Sequence, residues 1–367
     1  MRKCKLSECV KEINDRTIKN NQYEVLTSSK NGIFSQEEYF DKQVASKDTT
    51  GYKIIKNGQF TYRSMSDSGT FTINRLEDKE IGIVSPAYPV FEATNIDAEF
   101  LKYYFKSELF NKAIINLSQG STRTALKFKD LIDIEIYLPE IEEQKRIVKI
   151  LKNNDKVMEK YDELIKEKEQ FIKSQFVEMF KDCTKKNLEE VAEIIMGQSP
   201  DSKSYNDLEN GIPFLQGKGD YGKKYTRISH WTTEPSKIAE KGNILMSVRA
   251  PVGDVNIASE RCCIGRGLCS INAKKNIMNN DFIFNALIAT KDKIEAKGAG
   301  STFNAITKKD VYEIQIPVAT IELQNQFAEI VRLIDKQKFE LEKQKQNYID
   351  LKKGLMQQLL TGKLKVS

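Results

Sequence analysis

Leu138-Pro139-Glu140-Ile141-Glu142-Glu143-Gln144-Lys145-Arg146-Ile147 has a counterpart in Ile316-Pro317-Val318-Ala319-Thr320-Ile321-Glu322-Leu323-Gln324, and the interval from Ile141 to Ile321 is 180 residues. The same interval holds on both sides. Gly120-Ser121-Thr122 recurs as Gly300-Ser301-Thr302, Lys129-Asp130 as Lys309-Asp310, and Ile134 and Ile136 as Ile314 and Ile316. Further on, Ile150 matches Ile330, and Asp155-Lys156 matches Asp335-Lys336. Near the start, Leu6-Ser7-Glu8 resembles Leu188-Glu189-Glu190. A fixed internal period means one structural plan used twice: a globular part followed by a helical part. The expected boundaries are residues 1–138 and 139–182 for the first copy, 183–318 and 319–367 for the second.

In the first helical part, adjacent apolar pairs fall every seven residues, at Ile150/Leu151, Val157/Met158, Leu164/Ile165 and Phe171/Ile172. In the second, Phe327, Ile334, Leu341, Tyr348 and Leu355 are seven apart, with Ile330 and Leu351 on the neighbouring position. A seven-residue apolar repeat places its side chains on one stripe of a long helix. We take Ile150, Val157, Leu164 and Phe171 as the packing stripe of the first helix. Polar residues at Asn154, Lys168, Gln337 and Gln344 interrupt the stripes, as residues that fix register do. Neither helix can bury such a stripe alone. The expectation is an antiparallel coiled coil within one chain, with a pseudo-twofold repeat that sets the two globular parts at opposite ends of a rod; a parallel pair, or pairing with another protein, stays open.

Composition narrows the function. Lys plus Arg is 58 and Asp plus Glu 52, a net charge of +6, which suits a polyanionic partner. The helical parts carry little of it: ten basic against nine acidic residues from Glu142 to Lys181, seven against six from Glu322 to Leu360. Any nucleic-acid contact is therefore expected in the globular parts. A single histidine, His230, removes most Ser-His, Cys-His and multi-histidine metal schemes. Six cysteines lack paired metal-ligand spacing and read as reduced thiols. No nucleotide-binding loop is present, and Glu143-Gln144-Lys145 reads as a solvated helix turn rather than half of a nuclease motif. No catalytic residue and no metal site are assigned. No run of the sequence suits a membrane span, and the charged N-terminus lacks a signal-peptide pattern, so a cytoplasmic protein is expected.

The globular parts read as mixed α/β. Tyr52 to Tyr62 is expected to form a hairpin turning at Asn57-Gly58, and residues 97–117 and 281–297 to form helices. Glycine-bearing loops at Gly197-Gln198-Ser199-Pro200, Gly217-Lys218-Gly219 and Gly265-Arg266-Gly267 allow close backbone approach to a ligand. The candidates for DNA contact are Arg63 and Arg249 beside strand-end loops, Gln198, Ser199 and Lys218 in the glycine loops, and Ser121, Thr122, Arg123, Ser301 and Thr302 before helix starts. Ordinary helix capping by those hydroxyls is the alternative.

These segments together resemble the specificity subunits of type I restriction-modification systems. The likeness rests on the Leu138–Ile147 and Ile316–Gln324 stretches, on the C-terminal Gln358-Leu359-Leu360-Thr361-Gly362-Lys363-Leu364, and on Gly211-Ile212-Pro213-Phe214-Leu215 and Gly242-Asn243-Ile244-Leu245-Met246-Ser247-Val248-Arg249. In the first copy, Tyr52-Lys53-Ile54-Ile55 and Ile83-Val84-Ser85-Pro86-Ala87-Tyr88 look like a second variety of recognition domain. The resemblance implies a non-catalytic subunit whose two target-recognition domains each read half of a bipartite double-stranded DNA site. It also implies two methyltransferase subunits docked on the helical regions, and restriction subunits that drive cleavage. S-adenosylmethionine, ATP and magnesium would belong to those partners. Two other readings of the residues remain: a two-headed protein-binding scaffold, and a nuclease with a diffuse site.

Overall fold

The structure, a computed structural model, describes residues 2–39, 46–66, 69–117, 124–274, 277–298 and 305–366. Two 40-residue helices, Ile141–Phe180 and Ile321–Leu360, dominate it. The chain forms two compact units, one from residues 1–161 and 343–367, the other from residues 162–342. Each unit thus holds a globular part together with a piece of both long helices. No helix among the described residues is long and apolar enough to cross a membrane.

The first unit is built on a four-stranded antiparallel sheet in the order Val10–Ile13, Val90–Ala93, Phe60–Thr61, Asn74–Arg75. Phe60 and Phe91 stack across adjacent strands with ring centroids 5.4 Å apart, and Phe105 and Phe110 close over them. The second unit repeats this sheet with Ala192–Met196, Leu268–Ala273, Ile244–Ser247 and Val255–Ile257. It adds a five-stranded sheet in which Ile212–Leu215 and Cys262–Ile264 form the parallel pair. Ile244, Leu245 and Met246 are all buried, which explains why this strand reads as an unbroken apolar run rather than an alternating one.

The duplication extends to individual hydrogen bonds. Arg2–Lys5 pairs antiparallel with Glu135–Leu138, and Lys185–Asn187 pairs in the same way with Gln315–Pro317. The next residue then donates its amide to the matching carbonyl, Leu6 to Ile134 at 2.9 Å and Leu188 to Ile314 at 2.8 Å. Both copies of the repeat enter and leave their globular part through the same kind of two-stranded gate.

The long helices run antiparallel within each unit. In the first, Lys352 meets Asp155, and the Tyr161 and Tyr348 rings lie 6.4 Å apart. In the second, Lys168 donates to Gln337 at 2.7 Å, Lys338 to Glu169 at 2.8 Å, and the Phe176 and Phe180 rings lie 5.3 and 5.5 Å from that of Phe327. Two of the polar stripe positions, Lys168 and Gln337, thus satisfy each other.

Three expectations need correction. First, the stripe on Ile141–Phe180 lies one residue later than expected. Leu164 and Phe171 are 44% and 50% exposed, whereas Leu151 and Ile172 are buried and Met158 and Ile165 half-buried. Ile150 and Val157 are half-buried at the edge. Both phases share Asn154, Tyr161 and Lys168 in steps of three and four, so the apolar pairs alone do not separate them. The continuation does: both phases pass through Gln175, after which the expected one meets Glu178 and the observed one Met179, with the buried Phe176 beside it. On the second helix Phe327 and Ile334 are buried and Leu341, Tyr348 and Leu355 half-buried, as expected, but Leu351 is 71% exposed.

Second, Asn57-Gly58 turns the chain without making a hairpin. A two-residue hairpin turn with Asn-Gly needs positive φ at both residues, and only Gly58 has it, at 85°. Asn57 instead donates its side-chain amide to Glu77 O at 2.9 Å, and Gly58 its backbone amide to Leu76 O at 2.8 Å. The flanking strands diverge: Lys53–Lys56 pairs with Ile81–Val84, and Phe60–Thr61 with Val90–Ala93. Third, residues 97–117 form two helices, Ala98–Phe105 and Glu108–Leu117, because the Ser107 hydroxyl caps the second by accepting from the Phe110 amide at 3.2 Å.

Candidate nucleic-acid interface

In each unit the residues that follow the Gly-Ser-Thr segment in sequence pair with the chain just beyond a strand of the four-stranded sheet. In the first unit Leu126 donates its amide to Ser64 O at 2.9 Å, and Met65–Ser66 pairs with Thr124–Ala125. In the second, Ile306 donates to Val248 O at 2.9 Å, and Arg249 bridges to Ala305. Thr124 and Ala305 are the first described residues after residues 118–123 and 299–304. Ser121, Thr122, Arg123, Ser301 and Thr302 themselves lie outside the described residues. The matching bonds make Ser64 and Val248 equivalent, so Arg249 corresponds to Met65, and Arg63 lies on the other side of the equivalent position, two residues before Met65. Both arginines are exposed, with no acidic partner among the described residues.

Arg249 rides on a tight loop, residues 247–254. Ser247 holds it by accepting from the Gly253 amide at 2.9 Å, donating its hydroxyl to Pro251 O at 2.7 Å, and accepting at that hydroxyl from the Asp254 amide at 3.0 Å. Gly253 has φ 82°, a conformation other residues rarely adopt. The Ala250-Pro251 peptide bond is cis. The loop presents a guanidinium outward from a fixed base, the arrangement suited to a bidentate contact with a base edge or a phosphate.

The glycine loops of the second unit converge as well. A Cβ on Gly197 would stand 2.2 Å from Gly265 O, and one on Gly267 2.5 Å from Gln216 O, so the three loops touch backbone to backbone. Gln198 donates its amide to Ile264 O at 3.0 Å, and the Ser199 hydroxyl accepts from the Arg266 amide at 3.3 Å. This brings Gln198, Ser199 and Arg266 together on one rim. Arg266 is exposed and has no acidic partner among the described residues. It was missing from the sequence candidates although its loop was singled out; the two flanking glycines that permit the close approach were the usable signal.

Lys218 is placed differently. Its ammonium forms an ion pair with Asp254 at 2.6 Å, and Lys291 donates to the other carboxylate oxygen at 2.7 Å. Burial would raise the Asp254 carboxyl, but the two lysines hold it below its ordinary value. A carboxylate with a depressed folded value contributes stability that is complete above its unfolded pKa, about 3.9, and is lost as pH falls through the folded value. Asp254→Asn should therefore flatten the acid limb of the second unit's stability below about pH 4, as followed by circular dichroism. An unchanged acid limb would remove the ion pair from the account. His230 donates its Nδ1–H to Asp207 Oδ1, 2.6 Å away, at the surface. All six cysteines are free, and burial pushes the Cys262 and Cys269 thiols up to about 12, far from the thiolate that metal binding or nucleophilic attack requires.

Comparison with known proteins gives this geometry its setting. Residues 4–170 and 181–351 each match the family described as the type I restriction modification DNA specificity domain. The chain is 36% identical over 304 residues, 77% of its length and 69% of the relative's, to a putative type I restriction enzyme MjaX specificity subunit of Methanocaldococcus jannaschii. It is 24% identical over 321 residues, 78% of its length and 75% of the relative's, to the MjaVIII specificity subunit of the same organism. Among solved structures it resembles a chain from work on complex assembly and conformational transition of the type I R-M system, with TM-score 0.64, 25% identity, and coverage of 99% of this chain and 98% of that one. Two matched copies, with the two-stranded gate repeated in each, place the chain in the type I restriction-modification family as a DNA specificity subunit carrying two specificity domains.

Proposed function

We propose that the two globular parts each read one half of a bipartite duplex site, and that the long helices carry the subunits that modify and cut the DNA. The observation that supports this reading above the others is an exposed arginine near the same bridging contact in both units, Arg249 at the contact itself and Arg63 two residues before the matching Met65, neither with an acidic partner among the described residues. In this reading Arg63, Arg249, Gln198 and Ser199 meet the DNA, the Gly-Ser-Thr segments supply phosphate contacts, and Lys218 steadies its loop. Methyl transfer and ATP-driven cleavage belong to partner subunits, two of them methyltransferases; the protein acts in the cytoplasm.

Binding to duplex DNA across a salt series tests the reading against a protein scaffold. Neutralised phosphates release counterions, so affinity should fall steeply and linearly on a log-log plot. A flat response would favour the scaffold. Within that assay Arg249→Ala should cost about 1–3 kcal/mol on the preferred sequence and relax discrimination at one position. An equal loss on every sequence would assign Arg249 to phosphate instead. Cutting of DNA by the purified chain with magnesium alone would return the nuclease reading.

A further inference from the structure

Each globular part holds its long helix at two repeat-related points. The first point is a buried glutamine. Gln144 accepts from the Asp97 amide at 2.7 Å and donates to Pro139 O at 2.8 Å; Gln324 accepts from the Asn279 amide at 3.1 Å and donates to Ala319 O at 2.9 Å and Ile277 O at 3.1 Å. Asp97 and Asn279 each cap the next helix through its third residue, Phe100 and Phe282, at 2.9 and 2.7 Å. The second point is an aspartate eleven residues on. Asp155 accepts from the Tyr103 hydroxyl at 2.5 Å, and Asp335 accepts from Lys224 at 2.7 Å.

Eleven residues are three helical turns, about 16 Å, and return the side chain to within about 20° of the same face. Apolar packing of Ile147, Val148 and Leu151 in the first unit, and of Phe327, Val331 and Ile334 in the second, seats each globular part on its helix. Two polar contacts that far apart on one face resist rotation about this seat. In the second unit Lys224 sits at the tip of a turn built for it: Gly222 donates to Tyr225 O at 3.1 Å, and a Cβ there would stand 2.3 Å from that oxygen. Lys223, beside it, pairs with Glu342 at 2.7 Å on the same helix.

We infer that Gln144 with Asp155 and Gln324 with Asp335 are positioning residues that fix the angle of each recognition domain on its helix, and thereby the spacer length the protein accepts between half-sites. The inference rests on bipartite reading. One base pair of spacer moves a half-site by about 3.4 Å and turns it by about 35° around the duplex, and a domain free to swivel absorbs that change whereas a clamped one does not. The stiffness of the connection sets how sharply a two-headed binder depends on span.

The test uses the full chain and a duplex selected from a randomised library by the wild-type protein, then rebuilt with the spacer one base pair shorter and one longer. Wild type should lose about ten-fold or more in affinity for either altered spacer. Lys224→Asp, which sets a like charge against Asp335, should lose less than about three-fold between spacers, and Lys224→Asp with Asp335→Lys should restore the wild-type ratio. A uniform change in affinity at all spacers does not move this ratio. A folded Lys224→Asp protein that keeps the ten-fold discrimination overturns the clamp while leaving bipartite reading intact; a wild-type protein indifferent to spacer overturns both.

Discussion

Phe327→Asp should unfold the second unit, while Phe171→Asp on the partner helix should leave it folded. Phe327 is 1% exposed and lies against Phe176 and Phe180, and Phe282 packs on that pair tilted and edge-on, so the substitution strips aromatic packing and buries a carboxylate. Lost packing at such a site costs about 3–5 kcal/mol, and the buried charge adds several more. That sum approaches the whole stability of a typical domain, about 5–15 kcal/mol. Phe171 is half exposed, and a surface substitution stays within about 0.5 kcal/mol. Thermal unfolding of the two variants separates them. Equal destabilisation by both would restore the stripe phase read from the apolar pairs and refute the observed one.

The second large effect concerns specificity. Exchanging residues 190–310 for the corresponding part of another specificity subunit, with Lys224 and Asn279 kept, should replace one half-site completely and leave the other unchanged. The gate strands Lys185–Asn187 and Gln315–Pro317 and both long helices stay outside the exchanged stretch, so the elements that tie the part to the rest survive. Each correct base pair contributes about 1–3 kcal/mol of discrimination, so the original half-site should lose several orders of magnitude in preference. Alteration of both half-sites, or of neither, would contradict separate reading by the two parts.

The long-range plan was legible because duplication is a property of spacing, which survives in one sequence. The repeats at Gln144/Gln324 and Asp155/Asp335 were visible as letters, but their role was not, since the partners Asp97, Asn279, Tyr103 and Lys224 lie far away in sequence and outside the constant interval. The stripe phase is decided by Met179 against Glu178, beyond the apolar pairs. The Asn57-Gly58 turn failed as a hairpin signal because the segment around Leu76 to Glu80 competes for its backbone amides. For the recognition loops, the strand ends bearing Arg63 and Arg249 could be read, whereas the pairing of Lys218 with Asp254 depends on the fold of a loop thirty-six residues on.

The central claim is that one chain reads one duplex at two places. Selection of bound duplexes from a randomised library by the intact protein tests it most directly. Two short fixed blocks separated by an unread stretch of constant length are the predicted result. Enrichment of a single contiguous block, or of no sequence at all, would contradict it.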